Sequence, residues 1–275
     1  MGKKAKDKRD IYYRKAKEEG FRARSSYKLL QIDEEFKIFS KDRNIQRVID
    51  LCAAPGSWSQ VISQKLRETL GEEELNAQPH IVSVDLFEMA PIPGCTIIKG
   101  DITREKTIQE IQNVFQGHEV DLVVSDGAPD VLGDHDFDQF VQHQLVLSAI
   151  NLAARVLKQG SGNFIAKVFR GKDTGLLVKQ TKCLFENVYM AKPKTCRNSS
   201  IEAFMVALGY KGKESIGLQS ERLNLWDALT TLNHLQNYKE IYYGDQEEDV
   251  DEGDEVEFVA CGKNEILDAD MNYSL

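Results

Sequence analysis

The chain is predicted to fold as an α/β protein: a mostly parallel, seven-stranded sheet with helices on both faces and an antiparallel last strand. Three observations carry that prediction. Between residues 45 and 210 short apolar runs alternate with helical periodicities, the pattern of a parallel sheet covered on both sides. Residues 48–60, Val-Ile-Asp-Leu-Cys-Ala-Ala-Pro-Gly-Ser-Trp-Ser-Gln, read as a buried strand, a turn of small residues and the start of a helix. The last two apolar runs follow one another with a loop but no helix between them, as antiparallel strands do.

Taken in order, residues 1–44 form a basic helical extension. Ser25 or Ser26 caps a helix running to Phe36, with Leu29, Leu30, Ile32 and Phe36 on its apolar face and Lys28 leaving that face. In the sheet core, 45–210, strands are expected at 48–52, 81–85, 96–99, 121–125, 164–168, 187–191 and 203–208. Helices are expected at 57–69, 103–115, 139–157 and 174–185. The final strand pair reads as a hairpin closing the sheet edge. Residues 211–243 are expected to be helical, with Leu225, Trp226, Leu229, Leu232 and Leu235 at helical spacing, and they complete one folded unit, 1–243. Residues 244–275 read as an acidic tail that is expected to be disordered, most plainly in its low-complexity run, 244–257.

Composition narrows the function classes. With 275 residues, 41% of them hydrophobic, the chain can bury a sizeable core. The net charge of −9 hides an asymmetry: residues 1–28 hold eleven Lys and Arg against four acids, whereas residues 244–275 hold twelve acids against Lys263 alone. A basic end of this kind suits a nucleic-acid backbone. The five cysteines are scattered and never spaced as C-x-x-C, so no disulfide framework or zinc site is expected, and reduced thiols fit a cytoplasmic protein. No apolar stretch approaches membrane-spanning length, and no membrane partner is expected.

The turn at 53–56 lets backbone approach a ligand, and the helix that follows offers free N–H groups. It has the single glycine Gly56 and not the G-x-G-x-x-G spacing of dinucleotide sites, which favours a smaller adenosine-containing ligand; S-adenosylmethionine fits. Ligands of open α/β sheets sit beyond the carboxyl ends of the strands. There Asp85 is placed to accept ribose hydroxyl hydrogens, Asp101 to hold an adenine amino group, and Asp126 stands beside a glycine turn. Lys167 lies inside the apolar segment Gly-Asn-Phe-Ile-Ala-Lys-Val-Phe, where a lysine needs partners or a task. At an ordinary pKa of about 10.4, roughly one lysine in 2500 is neutral at pH 7, so a lysine base needs burial or a second cation to lower that value.

These segments resemble the FtsJ/RrmJ family of RNA ribose 2′-O-methyltransferases, and within it the eukaryotic branch that methylates the tRNA anticodon loop. The resemblance rests on residues 12–33, the 48–60 turn, Val-Asp-Leu-Phe-Glu-Met-Ala-Pro-Ile-Pro-Gly (84–94), Ser-Asp-Gly-Ala-Pro-Asp (125–130), Ala-Lys-Val-Phe-Arg-Gly-Lys-Asp (166–173) and Lys-Pro-Lys-Thr-Cys-Arg-Asn-Ser-Ser-Ile-Glu-Ala-Phe (192–204). It implies the methyltransferase fold and a Lys-Asp-Lys-Glu tetrad at Lys28, Asp126, Lys167 and Glu202. It also implies S-adenosylmethionine contacts at Gly56, Trp58, Asp85, Asp101 and Asp126, with no metal. Lys167 then takes the proton of a ribose 2′-OH, an atom DNA lacks, so DNA is not a substrate. Arg14, Lys15, Lys17, Arg22 and Arg24, with Lys194, Arg197 and Ser199 or Ser200 near the site's mouth, are the expected RNA contacts, and Tyr12, Tyr13, Phe21 and Tyr27 are candidates for base stacking. Phe21 stands where the family favours tryptophan, and an acidic insert spans 67–78. The branch implies an auxiliary WD-repeat or helical-repeat subunit that presents tRNA. A ribosomal RNA methyltransferase and a non-catalytic RNA-binding subunit are the alternatives.

Overall fold

A computed structural model describes residues 10–129, 135–171, 174–197, 200–212, 215 and 257–262. The basic residues before Asp10, Ser199, the stretch 223–235 expected to be helical and nearly all of the acidic run lie outside the described residues.

Two helices come first, α1 (Ile11–Glu18) and α2 (Ser26–Phe36). There follow β1 (Val48–Leu51), α3 (Ser57–Leu70), α4 (Glu72–Ala77), β2 (Ile81–Asp85), β3 (Cys95–Lys99), α5 (Glu105–Val114), β4 (Leu122–Ser125), α6 (His135–Val156), β5 (Asn163–Phe169), α7 (Thr174–Leu184), β6 (Phe185–Pro193), β7 (Glu202–Tyr210) and β8 (Phe258–Cys261). Every expected strand and core helix is present, with ends shifted by a few residues. The acidic insert is helical: it completes α3 and forms α4, which buries Leu75.

The sheet has eight strands, ordered β3-β2-β1-β4-β5-β7-β6-β8. The expectation of seven strands is corrected by β8, which comes from the segment read as a tail and pairs in parallel with β6 through Met190↔Phe258 to Pro193↔Cys261. The β6–β7 hairpin therefore does not close the sheet. Its second strand inserts between β5 and β6, antiparallel to both, and β8 covers the edge that β6 leaves open.

Alternation along the strands sends side chains to two cores. Phe164, Ala166 and Val168 of β5 join α5, α6 and α7 on one face. Ile165, with Phe204 and Val206 of β7, joins α2, α3 and α4 on the other. By the same parity Lys167 and Glu202 belong to the α2 face. Ser25 does not cap α2 through its side chain; its hydroxyl bonds that of Ser57 at 2.6 Å, and Trp58 Nε1 donates to Ser25 O at 2.9 Å. The start of α2 is thereby pinned to the start of α3.

Candidate active site

A cavity of about 680 Å³ opens beyond the carboxyl ends of β1, β2, β4 and β5, within the size range of small-molecule sites. Asp85, at the end of β2, braces two of its walls: Oδ2 accepts from Ala54 N and Oδ1 from Phe87 N, each at 2.8 Å. Each oxygen keeps a second lone pair for a ligand hydroxyl. Leu86 and Phe87 follow at the rim, 61% and 73% exposed, and present large apolar surfaces. Asp101 also lines the cavity, but its Oδ1 accepts from Thr103 N (2.9 Å) and Thr103 Oγ1 (2.7 Å), bonds that hold its carboxyl below the usual range. Cys52 lies at the cavity wall, its thiol pushed up to about 12 by burial and then by the Asp85 charge, so it is an inert thiol there.

Gly56 and Trp58 do not line the cavity. Gly56 has φ of 100°, and a Cβ there meets Arg22 Nη1 and Ile92 Cδ1, each at 2.7 Å. Glycine is thus required by backbone conformation and by the close approach of Arg22. Trp58 is buried, its ring 5.6 Å from that of Phe204. In this structure it holds α3 to the sheet.

The four tetrad positions come together at the mouth. Lys167 Nζ lies 3.1 Å from Asp126 Oδ1, Lys28 Nζ lies 3.9 Å from the same oxygen, and Lys28 Nζ lies 2.6 Å from Glu202 Oε1. Asp126 and Lys167 also line the cavity, which joins the cluster to it. Register explains the convergence. Phe169↔Glu202 and Lys167↔Phe204 are pairs of the β5–β7 ladder, so Lys167 and Glu202 are diagonal neighbours on one face. Phe204, opposite Lys167, carries Lys28 Nζ 5.5 Å above its ring.

The expectation that Lys28 leaves the apolar face of α2 is corrected: it is 9% exposed, turned inward onto Phe204, Asp126 and Glu202. Burial works against its charge, but the two carboxylates outweigh burial and hold its pKa above the ordinary lysine value. For Glu202 burial likewise opposes the charge, and Lys28 and Lys167 outweigh it, leaving its carboxyl below the ordinary value. Lys28 is a fixed cation and Glu202 a fixed anion at neutral pH.

Several expected RNA contacts make bonds within the protein. Arg22 donates to Pro55 O, Ala90 O and Pro91 O, each at 2.9 Å, and so ties the 53–56 turn to the loop after β2. Arg24 pairs with Asp10 and donates to Thr195 O, and Arg197 approaches the same Asp10 carboxylate at 3.8 Å. Asp10 in turn caps α1 through Tyr12 N and Tyr13 N. Lys194 is half-buried, and its backbone N donates to Cys261 O at 3.1 Å. Tyr12, Phe21 and Tyr27 pack on one another, ring centroids 5.4 and 5.9 Å apart, while Tyr13 sits under Lys17.

Ser25, Gln144 and Ser148 line the cavity and were missed. Gln144 and Ser148, one turn apart in an otherwise apolar stretch of α6, were the readable signal; Ser25 looked like a helix cap.

Comparison with known proteins identifies the family. Residues 21–210 match the family described as FtsJ-like methyltransferase. A Mus musculus tRNA (cytidine(32)/guanosine(34)-2′-O)-methyltransferase is 48% identical over 276 aligned positions, covering 100% of this chain and 78% of the relative. A Schizosaccharomyces pombe protein of the same name is 52% identical over 99% of this chain and 88% of its own length. Among solved structures, a Plasmodium falciparum protein described as a ribosomal RNA methyltransferase superposes with a TM-score of 0.61 at 25% identity, covering 70% of this chain and 100% of that one. The chain belongs to the FtsJ-like methyltransferase family.

Proposed function

We propose that the protein transfers a methyl group from S-adenosylmethionine to a ribose 2′-hydroxyl in the anticodon loop of tRNA. The observation that carries this reading is the joined ion cluster Lys28–Glu202 and Lys167–Asp126 at the mouth of the cavity. The names of the mouse and fission-yeast relatives, with identity that spans nearly the whole of this chain, support tRNA as the substrate.

The cavity suits the cofactor: Asp85 offers carboxylate oxygens where a ribose diol needs acceptors, and the exposed apolar Leu86 and Phe87 offer a surface for a base. Asp101 and Asp126 are the remaining polar contacts in this reading, with Gly56 and Trp58 acting by shaping the turn. When bound, S-adenosylmethionine supplies a methyl group on an activated sulfur leaving group. In its neutral form Lys167 accepts the 2′-OH proton at Nζ as the C–O bond forms, which leaves Nζ as an ammonium beside Asp126. Lys28 supplies fixed positive charge beside Asp126, and Glu202 holds Lys28 in place. Alignment of the reacting atoms contributes the larger part of the acceleration. An auxiliary protein subunit that presents tRNA is part of this proposal.

The test is methyl transfer from labelled S-adenosylmethionine to unmodified total RNA by the purified protein, with and without cell extract, followed by mapping of ribose-methylated nucleotides. Label in tRNA anticodon loops is expected, with extract raising the rate. Label confined to ribosomal RNA overturns the choice of substrate, and no label in any RNA in either arm overturns the enzymatic reading.

A further inference from the structure

We propose that Gln142 of α6 is a positioning residue that completes the sheet around Lys167 and so fixes the amine's place in the tetrad. The inference rests on the reading of Lys167 as the proton acceptor and deepens it.

The ladder between β4 and β5 ends at Ser125↔Ala166, while β5 continues against β7 through Lys167, Val168 and Phe169. Past Ala166 the backbone of β5 therefore has, among the described residues, a strand on one side and none on the other. Asp126, the residue just beyond β4, has turned away into the glycine-containing 126–129 loop that lines the cavity. The C=O of Lys167 and the N–H of Phe169 point toward the missing strand, in a region where unpaired backbone groups are costly.

Gln142 takes the place of that strand. Its Nε2 donates to Lys167 O at 2.5 Å, and its Oε1 accepts from Phe169 N at 3.1 Å. One side-chain amide thus reproduces the donor–acceptor pair of a ladder rung. The residue is 1% exposed, so water does not readily substitute for it. His143, next along α6, extends the contact, its Nε2 lying 3.1 Å from Phe169 O. These contacts span Val168, immediately C-terminal to the Cα from which the Lys167 side chain sets out toward Asp126, and neither Gln142 nor His143 itself lines the cavity. Without them the end of β5 is held by β7 alone, and the Lys167–Asp126 contact loses its backbone reference.

The test uses the full chain with Gln142→Met, which keeps the length of the side chain and removes both polar atoms, and Gln142→Leu as a second apolar variant. Thermal unfolding, S-adenosylhomocysteine affinity, and single-turnover methyl transfer to tRNA with saturating cofactor and extract are measured beside wild type and Lys167→Ala. For a Gln142 variant that folds and binds S-adenosylhomocysteine like wild type, the account expects a single-turnover rate down by about 10–100-fold with KM for tRNA unchanged. A wild-type rate in such a variant overturns the positioning role while Lys167→Ala remains inactive. A Lys167→Ala protein with the wild-type rate overturns the reading of Lys167 itself. A loss confined to cofactor affinity or folding in both Gln142 variants shows a structural residue and also overturns the proposal.

Discussion

Lys28 Nζ lies 2.6 Å from Glu202 Oε1, so the first helix against the sheet and the strand inserted last into it meet in one buried ion pair. Removing one partner of such a pair leaves a charge without compensation. Glu202→Gln is expected to lower stability by about 3 kcal/mol at pH 7 in urea unfolding. Because the Glu202 carboxyl is held below its ordinary value of 4.5 in the fold, its contribution is present above that value and is lost as pH falls through the folded value. The gap between wild type and variant therefore narrows in acid; a gap that stays constant down to pH 3 contradicts the pairing.

Asp50 gives the opposite sign. It is wholly buried in β1, and burial raises its carboxyl from 3.8 to about 7, with Asp126 and Asp85 adding to the rise against the bond from Ser59. A raised acid stabilises the fold fully below pH 3.8 and loses that contribution as pH climbs to about 7. Asp50→Asn removes the titration. Its stability relative to wild type is expected to improve by about 2–4 kcal/mol between pH 4 and pH 8, measured as the difference of two denaturation series.

Arg22 separates a structural role from an RNA contact. Its three donations to backbone carbonyls place the loss from Arg22→Ala in thermal stability and in cofactor affinity. The salt dependence of tRNA binding is expected to keep its slope, whereas loss of a phosphate contact reduces it by about 1. Gly56→Ala is expected to destabilise the same corner, because its Cβ displaces the Arg22 guanidinium and Ile92 at a positive φ. Melting curves and filter binding across a salt series distinguish the two roles.

Asp85 is the proposed cofactor contact with the clearest geometry. Asp85→Asn is expected to weaken S-adenosylhomocysteine binding by about 10–100-fold in calorimetry, the range for a lost hydrogen bond to a charged group. Binding at wild-type affinity removes Asp85 from the ligand.

How far the sequence could be read follows from what each residue's position depends on. The strands were legible because each carries a short, largely apolar run, and Lys167 because a lysine stood inside one of them. Lys28 and Glu202 were not legible from local pattern: their meeting depends on β7 entering between β5 and β6 and on the Phe169↔Glu202 register, which local residues do not encode. Resemblance supplied them instead. Strand β8 escaped notice because four residues beside an acidic run carry little periodicity, and its place is set by the open edge of β6. The arginines of the N-terminal run looked like RNA contacts because charge is visible in sequence and its partners, Asp10 and the carbonyls after β2, are not.

The central claim is that Lys167 accepts the ribose proton, and Lys167→Met tests it most directly. Cofactor affinity and single-turnover methyl transfer to tRNA are measured on the same preparation. An affinity within about threefold of wild type and a rate lower by at least about 100-fold are expected. A rate within a few-fold of wild type at full occupancy contradicts the claim.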